Sequence, residues 1–331
     1  MQLVVYNDIL SIMQEQNSRE CFGFIRERYP EISINTLGSI YSQNYQKKMK
    51  KTHHIHYNQE TMNEYFQKYK IAVKNKEKHI LLRLADQIDL SPALLARIVL
   101  ERYLAYGEYS GENPPKSKVT QMMRDPSLIQ DSVLATEIQD CILSDDHYGP
   151  IVDSIKHGIG QEYEFKLTKI LDNLGYSYLN EDHMRSRGYD KTPDIKLEVP
   201  ISVDGYVVNW IESKASFGDE FSNKTYLKDQ FWSYWNRFGP GMVIYWFGFI
   251  EELDVHSDKG IILRESFPEN IVTLNPIKIL ISNAFETIKQ YFATYICCRY
   301  CDVPVLFLGS HNCSINKSFY CLEIQQHIFP W

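Results

Sequence analysis

The chain lacks a long apolar run. Its longest, Met242 to Ile250, falls far short of the ~20 residues that a bilayer-spanning helix needs, and Met1 to Met13 carries Asp8 without a basic leader. Neither secretion nor membrane insertion is expected. Cysteine is scarce: of seven, five fall between Cys297 and Cys321, while Cys21 and Cys141 stand alone. That distribution argues against a disulfide framework and suits a reducing, intracellular setting. A positive excess is missing as well. The net charge of −7 excludes a protein coated with cation for non-specific nucleic-acid binding, although distribution matters more than the sum. What is present is apolar substance: 44% hydrophobic and 13% aromatic residues in 331 exclude general disorder and suffice for two or three domains.

Locally the charge reverses. Between Lys47 and Lys78 nine lysines stand against three glutamates, a pattern shared by solvated helix faces and phosphate-binding surfaces. The first 145 residues read as helix almost throughout, with apolar residues at three- and four-residue spacing. Two segments share a helix-turn-helix plan. Ser18 to Arg28 leads through Tyr29-Pro30-Glu31-Ile32-Ser33 into a helix from about Asn35 to Lys51, and His79 to Gln87 leads into Pro92 to Tyr106, with Ser91 as N-cap. Both patterns also serve purely structural hairpins. His53, His54 and His56 lack cysteine or carboxylate neighbours and read as a solvated linker rather than a metal site. Glu108 to Lys118, interrupted by Gly111, Pro114 and Pro115, is the best linker candidate. The expected divisions are 1–60 and 61–150, each with a helix-turn-helix-like hairpin, an α/β domain at 151–275, and an atypical extension at 276–331.

From about His157 the pattern changes to α-β-β-β-α-β. His157-Gly158-Ile159-Gly160 is expected to open a helix whose apolar face is Leu167, Ile170, Leu171 and Leu174, ended by Gly175. Tyr176 to Leu179 reads as a short strand and Glu181 to Thr192 as a polar loop. Ile195, Leu197, Val199, Ile201 and Val203 alternate as a half-buried strand does, and Asp204-Gly205 turns the chain back. On the return strand, Tyr206 to Ala215, Glu212 and Lys214 leave one face. A helix over Lys224 to Phe238, expected to bury Phe231, Trp235 and Phe238, and a strand over Met242 to Ile250 complete a mixed sheet flanked by helices.

Phosphodiester hydrolysis explains such a gathering. Carboxylates hold Mg²⁺ or Mn²⁺, which polarises a phosphoryl oxygen and lowers the pKa of an attacking water. Asp194 and Glu212 supply those oxygens, with the Ser213 carbonyl between, and Lys214 can orient the water or neutralise developing charge. Glu164, one turn before Leu167, is placed to add a carboxylate, with Glu162 as its substitute. Gln230 and Tyr234, at i and i+4, are further candidates. A carboxylate-x-Lys triplet recurs by chance, as Glu164-x-Lys166 and Asp194-x-Lys196 show, so the order of elements carries the argument. Register is its critical test. With an unbulged two-residue loop at Asp204-Gly205, Asp194 would lie opposite Ala215 and on the wrong face, so a three-residue loop or a β-bulge is required.

Thr192-Pro193-Asp194, Trp210 to Asp219 (WIESKASFGD) and Asp229 to Gly241 (DQFWSYWNRFGPG) closely resemble the TPD-motif family, and the match extends through Asp125-Pro126-Ser127 and Tyr148-Gly149-Pro150 to cover roughly residues 1–274. That family resembles a branch of the PD-(D/E)XK, restriction-endonuclease-like superfamily related to archaeal Holliday-junction resolvases. The resemblance implies a metal-dependent nuclease acting on structured DNA, with Asp194, Glu212 and Lys214 at the motif positions, Glu164 as the first-helix carboxylate, and Gln230 and Tyr234 as a glutamine-tyrosine element. It further implies a codanin partner, a link to chromatin assembly and erythroid differentiation, and residence in nucleus and cytoplasm. A catalytically silent subunit that keeps the fold to bind codanin is the alternative; a sequence-specific transcription factor lacks identifiable base-contacting residues. Beyond Leu274 the resemblance stops, at an amphipathic stretch, Ile277 to Ile296, and a tail with Cys297, Cys298, Cys301, Cys313, Cys321 and His311, whose irregular spacing argues against zinc.

Overall fold

The computed structural model describes residues 1–15 and 21–273, and residues 1–274 form one compact unit. The amphipathic stretch, the cysteine tail, the 276–331 extension and the Ser18 start of the first hairpin lie outside the described residues. Eight helices come first: α1 (Leu3–Glu15), α2 (Cys21–Arg28), α3 (Ile34–His56), α4 (Gln59–Lys74), α5 (Ile80–Gln87), α6 (Pro92–Gly107), α7 (Lys116–Arg124) and α8 (Ser132–Leu143). Their starts are set by side-chain caps. Ser33 accepts from the Thr36 N–H at 3.1 Å, Asn58 from Thr61 at 2.9 Å, Ser91 from Leu94 at 3.3 Å, and Asp131 from Val133 and Leu134 at 2.9 and 3.0 Å. Both expected hairpins form, but α6 is enclosed by its neighbours from Pro92 to Ala105. A recognition helix needs an open face, and α6 has little to offer. The three histidines belong to the end of α3 rather than to a linker. His56 is buried with its Nδ1 2.9 Å from the Tyr65 hydroxyl, and His53 stacks on Tyr57.

Helix α9 (Pro150–Asn173) begins earlier than the glycine pattern suggests. Gly149 and Pro150 start it, and Gly158 and Gly160 lie inside it. Interior glycine costs about 1 kcal/mol against alanine, which burial of Val152, Leu167 and Leu171 along one helix readily offsets. Leu174 is exposed instead of closing the apolar face. After β1 (Tyr178–Asn180), part of the expected loop is a helix, α10 (Glu181–Ser186), capped by Asn180 and anchored by buried Met184.

Strands β2 (Ile195–Val203), β3 (Tyr206–Lys214), β4 (Gly241–Tyr245), β5 (Ile261–Arg264) and β6 (Ile271–Thr273) join β1 in a six-stranded mixed sheet. The order is β1-β2-β3-β4-β5, antiparallel through β3 and parallel beyond, with β6 on β2. Met242 to Ile250 is thus only partly strand. After Tyr245 the chain turns, with Gly248 N–H on the Tyr245 carbonyl, and Phe249 bridges to Gly218.

The decisive feature is the β2–β3 register. The loop has two residues, Asp204 and Gly205, both at positive φ (50° and 86°), a type I′ geometry that excludes the three-residue alternative. Ile201 pairs with Val208, but Lys196 pairs with Trp210, so residues 197–200 oppose Asn209 alone. This is the required β-bulge, made wide where Pro200 has no N–H to donate. It breaks the alternation: Val199 is 53% exposed. Beyond Ile195 and Ile211, the shifted register sets Asp194 across from Glu212.

Ile195, Ile211, Met242 and Ile244 pack under Leu167 and Leu171 of α9. The other face, with Trp210, Val243 and Tyr245, lies under Phe231 and Tyr234. Gly241 is obligatory there, since a Cβ would sit 2.1 Å from the Trp210 ring. The covering helix is in three pieces, α11 (Glu220–Tyr226), a π turn at Leu227–Phe231, and α12 (Trp232–Phe238). A π turn rotates everything after it relative to a continuous α-helix. Consequently Phe231 and Tyr234 point inward, while Trp235, expected in the core, is 37% exposed.

Candidate active site

Glu212 and Lys214 share parity with Trp210 and so face α11 and α12, at the C-terminal end of β3. Lys214 Nζ lies 2.6 Å from Glu212 Oε1 and 4.7 Å from the centre of the Tyr226 ring. The Asp194 N–H donates to Glu212 Oε2 at 3.3 Å, and the Ser213 N–H donates to Asp194 Oδ2 at 2.7 Å. The bulge, the Glu-x-Lys parity and these bonds bring Asp194, Glu212 and Lys214 into one cluster.

The cluster is electrostatically strained. Burial and the Glu212 carboxylate push the Asp194 carboxyl well above the usual carboxylate range. Burial also raises Glu212, against the opposing pull of Lys214. For Lys214 burial disfavours the ammonium, but the Glu212 carboxylate overrides it and holds the lysine above its ordinary value. Burial, then Glu212 and Asp194, keep the Tyr234 phenol neutral far above its normal range. Gln230 turns a buried side-chain oxygen inward that finds no donor among the described residues. Glu164 lies on α9 within range of these charges: partial burial and Glu181 raise its carboxyl, while Lys214 and His157 pull it back. Direct contacts join Asp194, Glu212 and Lys214, the charges of this group act on Glu164 and Tyr234, and Gln230 lies four residues before Tyr234 without a hydrogen bond to the group among the described residues. Glu162 lies exposed on the same helix as Glu164.

Several neighbours escaped the sequence reading. Glu181, assigned there to a loop, accepts from Arg185 at 2.6 Å and Thr192 at 3.2 Å, and its charge acts on Glu164, Glu212 and Tyr234. Asn180 three residues before His183 was the available signal, an N-cap. A second group comes from the far N-terminus. Phe217 is gripped by Ser39 Oγ on its N–H (2.8 Å) and by Gln43 Nε2 on its carbonyl (2.7 Å), and its ring stacks on Tyr6 at 5.7 Å. Asp219, 1% exposed, caps α11 at Ser222, pairs with Lys47 and receives the Tyr6 hydroxyl at 3.3 Å. Burial alone would raise Asp219, yet Lys47 and Ser222 hold it below the usual range. Helices α1 and α3 therefore clamp the segment that follows Lys214.

Among the described residues no group of three or more histidine, cysteine or acidic side chains is close enough to hold a metal ion. The donor set is two carboxylates and a carbonyl. The Ser213 carbonyl leaves β3 on the same side as its N–H, which bonds the Asp194 carboxylate just beyond the last β2–β3 pair, Ile195 with Ile211. Two carboxylates that resist joint ionisation, beside a strand-end carbonyl, fit Mg²⁺, which usually takes one or two carboxylates and keeps several waters.

Fold and cluster define an α/β protein with a carboxylate–lysine centre at the end of a mixed sheet. A family model described as a protein of unknown function with the TPD sequence motif matches residues 130–267. Proteins named CDAN1-interacting nuclease 1 are similar over most of the chain. The Xenopus laevis protein is 52% identical over 271 residues, covering 81% of this chain and 89% of its own length. The Homo sapiens protein is 51% identical over 258 residues (78% and 91%), and the Danio rerio protein 48% over 264 (80% and 87%). This chain belongs to the TPD-motif family. No solved structure matches it.

Proposed function

We propose that this protein is a divalent-metal-dependent nuclease with a PD-(D/E)XK core, acting on structured DNA in the manner of Holliday-junction resolvases, and that it binds codanin. The observation that carries the reading is the β2–β3 bulge, which sets Asp194 across from Glu212 while Lys214 contacts Glu212. The name of its relatives, as nucleases that interact with CDAN1, supports both halves. Asp194, Glu212 and the Ser213 carbonyl would hold Mg²⁺ or Mn²⁺, with Glu164 as a further carboxylate. The ion supplies polarisation of the phosphoryl oxygen and a more acidic bound water. Lys214, held charged by Glu212, offsets the negative charge developing on the phosphoryl oxygens. Tyr234, kept neutral, offers a hydroxyl donor, and Gln230 an acceptor. Residence in nucleus and cytoplasm accords with both roles.

The test is cleavage of labelled duplex, flap and four-way-junction DNA in Mg²⁺ or Mn²⁺. Asp194→Asn and Lys214→Ala are each expected to lower the rate by at least 100-fold; activity surviving both changes refutes the assignment. One observation favours a second reading, a codanin-binding subunit without turnover: the centre has two clustered carboxylates rather than three. A stoichiometric codanin complex indifferent to Asp194→Asn, with no cleavage of any substrate, would establish it.

A further inference from the structure

On the opposite face of β3 from Glu212 and Lys214 lies a cluster that the proposed chemistry leaves unused. The Ser213 side chain, between those two residues, leaves on the α9 side, where its Oγ accepts from Trp246 Nε1 at 2.8 Å. The Trp246 backbone N–H donates to the Lys214 carbonyl at 3.0 Å, so this tryptophan is bonded to both residues at the strand's end. Tyr163 of α9 meets Trp246 at 5.3 Å and Phe247 edge-on at 5.3 Å. Lys166, exposed and one turn further along α9, holds its ammonium 4.6 Å from the Trp246 ring centre and 5.3 Å from that of Tyr163. Three half-buried aromatic rings and an exposed cation thus meet within one helical turn of Glu164, whose charge reaches Asp194 and Lys214.

Burial alone does not account for the arrangement. Trp246 packs one side against the α9-side core yet stays half-open to solvent, where Trp210 is wholly buried. Aromatic faces interleaved with a cation are what an unpaired nucleotide needs: the base stacks on the rings and the ammonium moves to the phosphate. A paired base within a duplex has no free face to offer. We propose that Tyr163, Trp246, Phe247 and Lys166 form a platform that receives an unpaired nucleotide beside the Glu212–Lys214 end of β3. The inference rests on the nuclease reading and narrows its substrates to DNA with a single-stranded element next to the bond cleaved.

Anisotropy binding of the full chain in chelator, without turnover, tests it, with a fluorescent blunt duplex and the same duplex carrying an unpaired overhang as probes. Wild type is expected to prefer the overhang. Tyr163→Ala and Lys166→Ala should each erase about ten-fold of that preference while leaving the blunt duplex unaffected, and Lys166→Ala should lower the salt slope by about 0.7. Tyr163→Phe, which keeps the ring, should retain the preference and shows that the fold is intact. A preference unchanged in both alanine variants, or absent from wild type, overturns the platform. If Asp194→Asn still abolishes cleavage in that case, the nuclease reading survives its loss; binding of neither probe also overturns the platform, and only absence of cleavage in Mg²⁺ and Mn²⁺ removes the nuclease reading with it.

Discussion

The two N-terminal hairpins begin from the same sequence plan and end in opposite situations. In α5–α6 the second helix is sunk among α4, α5, α7 and α8, and Ile98, Val99 and Leu100 are wholly buried. In α2–α3 the second helix keeps Lys48, Lys50 and Lys51 in solvent, while Ser39, Gln43 and Lys47 reach the segment after Lys214. One hairpin organises a core and the other braces a candidate active centre. A helix-turn-helix pattern thus specifies an angle between two helices, and burial decides its use.

The sharpest way to break this comparison is through α6. Ile98→Ala should cost about 2–5 kcal/mol in denaturant unfolding, while activity per folded molecule stays at the wild-type level. A selective loss of activity would mean that α6 also serves the site.

Next comes Lys47→Met, which leaves the buried Asp219 carboxylate without its cation. With the lysine's partial exposure discounted, a loss of roughly 1–3 kcal/mol is expected, together with a drop in cleavage rate that Lys47→Arg restores. The pH dependence fixes the mechanism. Because the folded Asp219 value is depressed, its contribution is present above the unfolded value of about 3.9 and disappears as pH falls through the folded one. The stability gap between wild type and Lys47→Met should therefore be full above about pH 5 and close below about pH 4; a gap independent of pH would point to lost packing instead.

Caps give a smaller contrast. Ser91 is fully buried and also donates to Asp145, whereas Ser33 is exposed. Thermal unfolding should show Ser91→Ala near the upper end of the cap range, about 2 kcal/mol, and Ser33→Ala near its lower end, about 0.5 kcal/mol. Equal losses would erase the distinction between the hairpins. The smallest effect belongs to Lys50→Gln and Lys51→Gln. Neither should move the melting temperature measurably, but each should lower the salt slope of duplex binding by about 1 if the open end of α3 lies on phosphate.

Much of this was legible in the chain. Ser91-Pro92 announced a helix start, Asp204-Gly205 a hairpin turn, and Glu212-x-Lys214 a shared strand face, because each signal involves neighbours a few residues apart. The need for an even register was also legible, through a three-residue loop or a bulge, though not which of the two, nor the bulge's place or width. Where reading failed, the cause was mostly longer-range. Trp235 was expected in the core because the π turn at Leu227–Phe231 leaves no mark in apolar spacing. Glycines at 158 and 160 suggested a helix start that burial elsewhere along α9 overrode.

By itself the sequence determined the order of α9, β1, β2, β3, the late helix and β4, though not α10, β5 or β6, together with the turn between β2 and β3 and the chemical types gathered near the strand end. Tertiary structure alone decided that residues 197–200 would swell against Asn209 and so bring Asp194 across from Glu212. It also decided that Lys47 would reach Asp219, 172 residues away, and that Glu181 would join the acidic neighbourhood. The physical reason is range. Periodicity and capping are settled within a turn or two of chain, whereas register, phase and ion pairing at a buried site depend on surfaces that meet only when the sheet and its helices have packed.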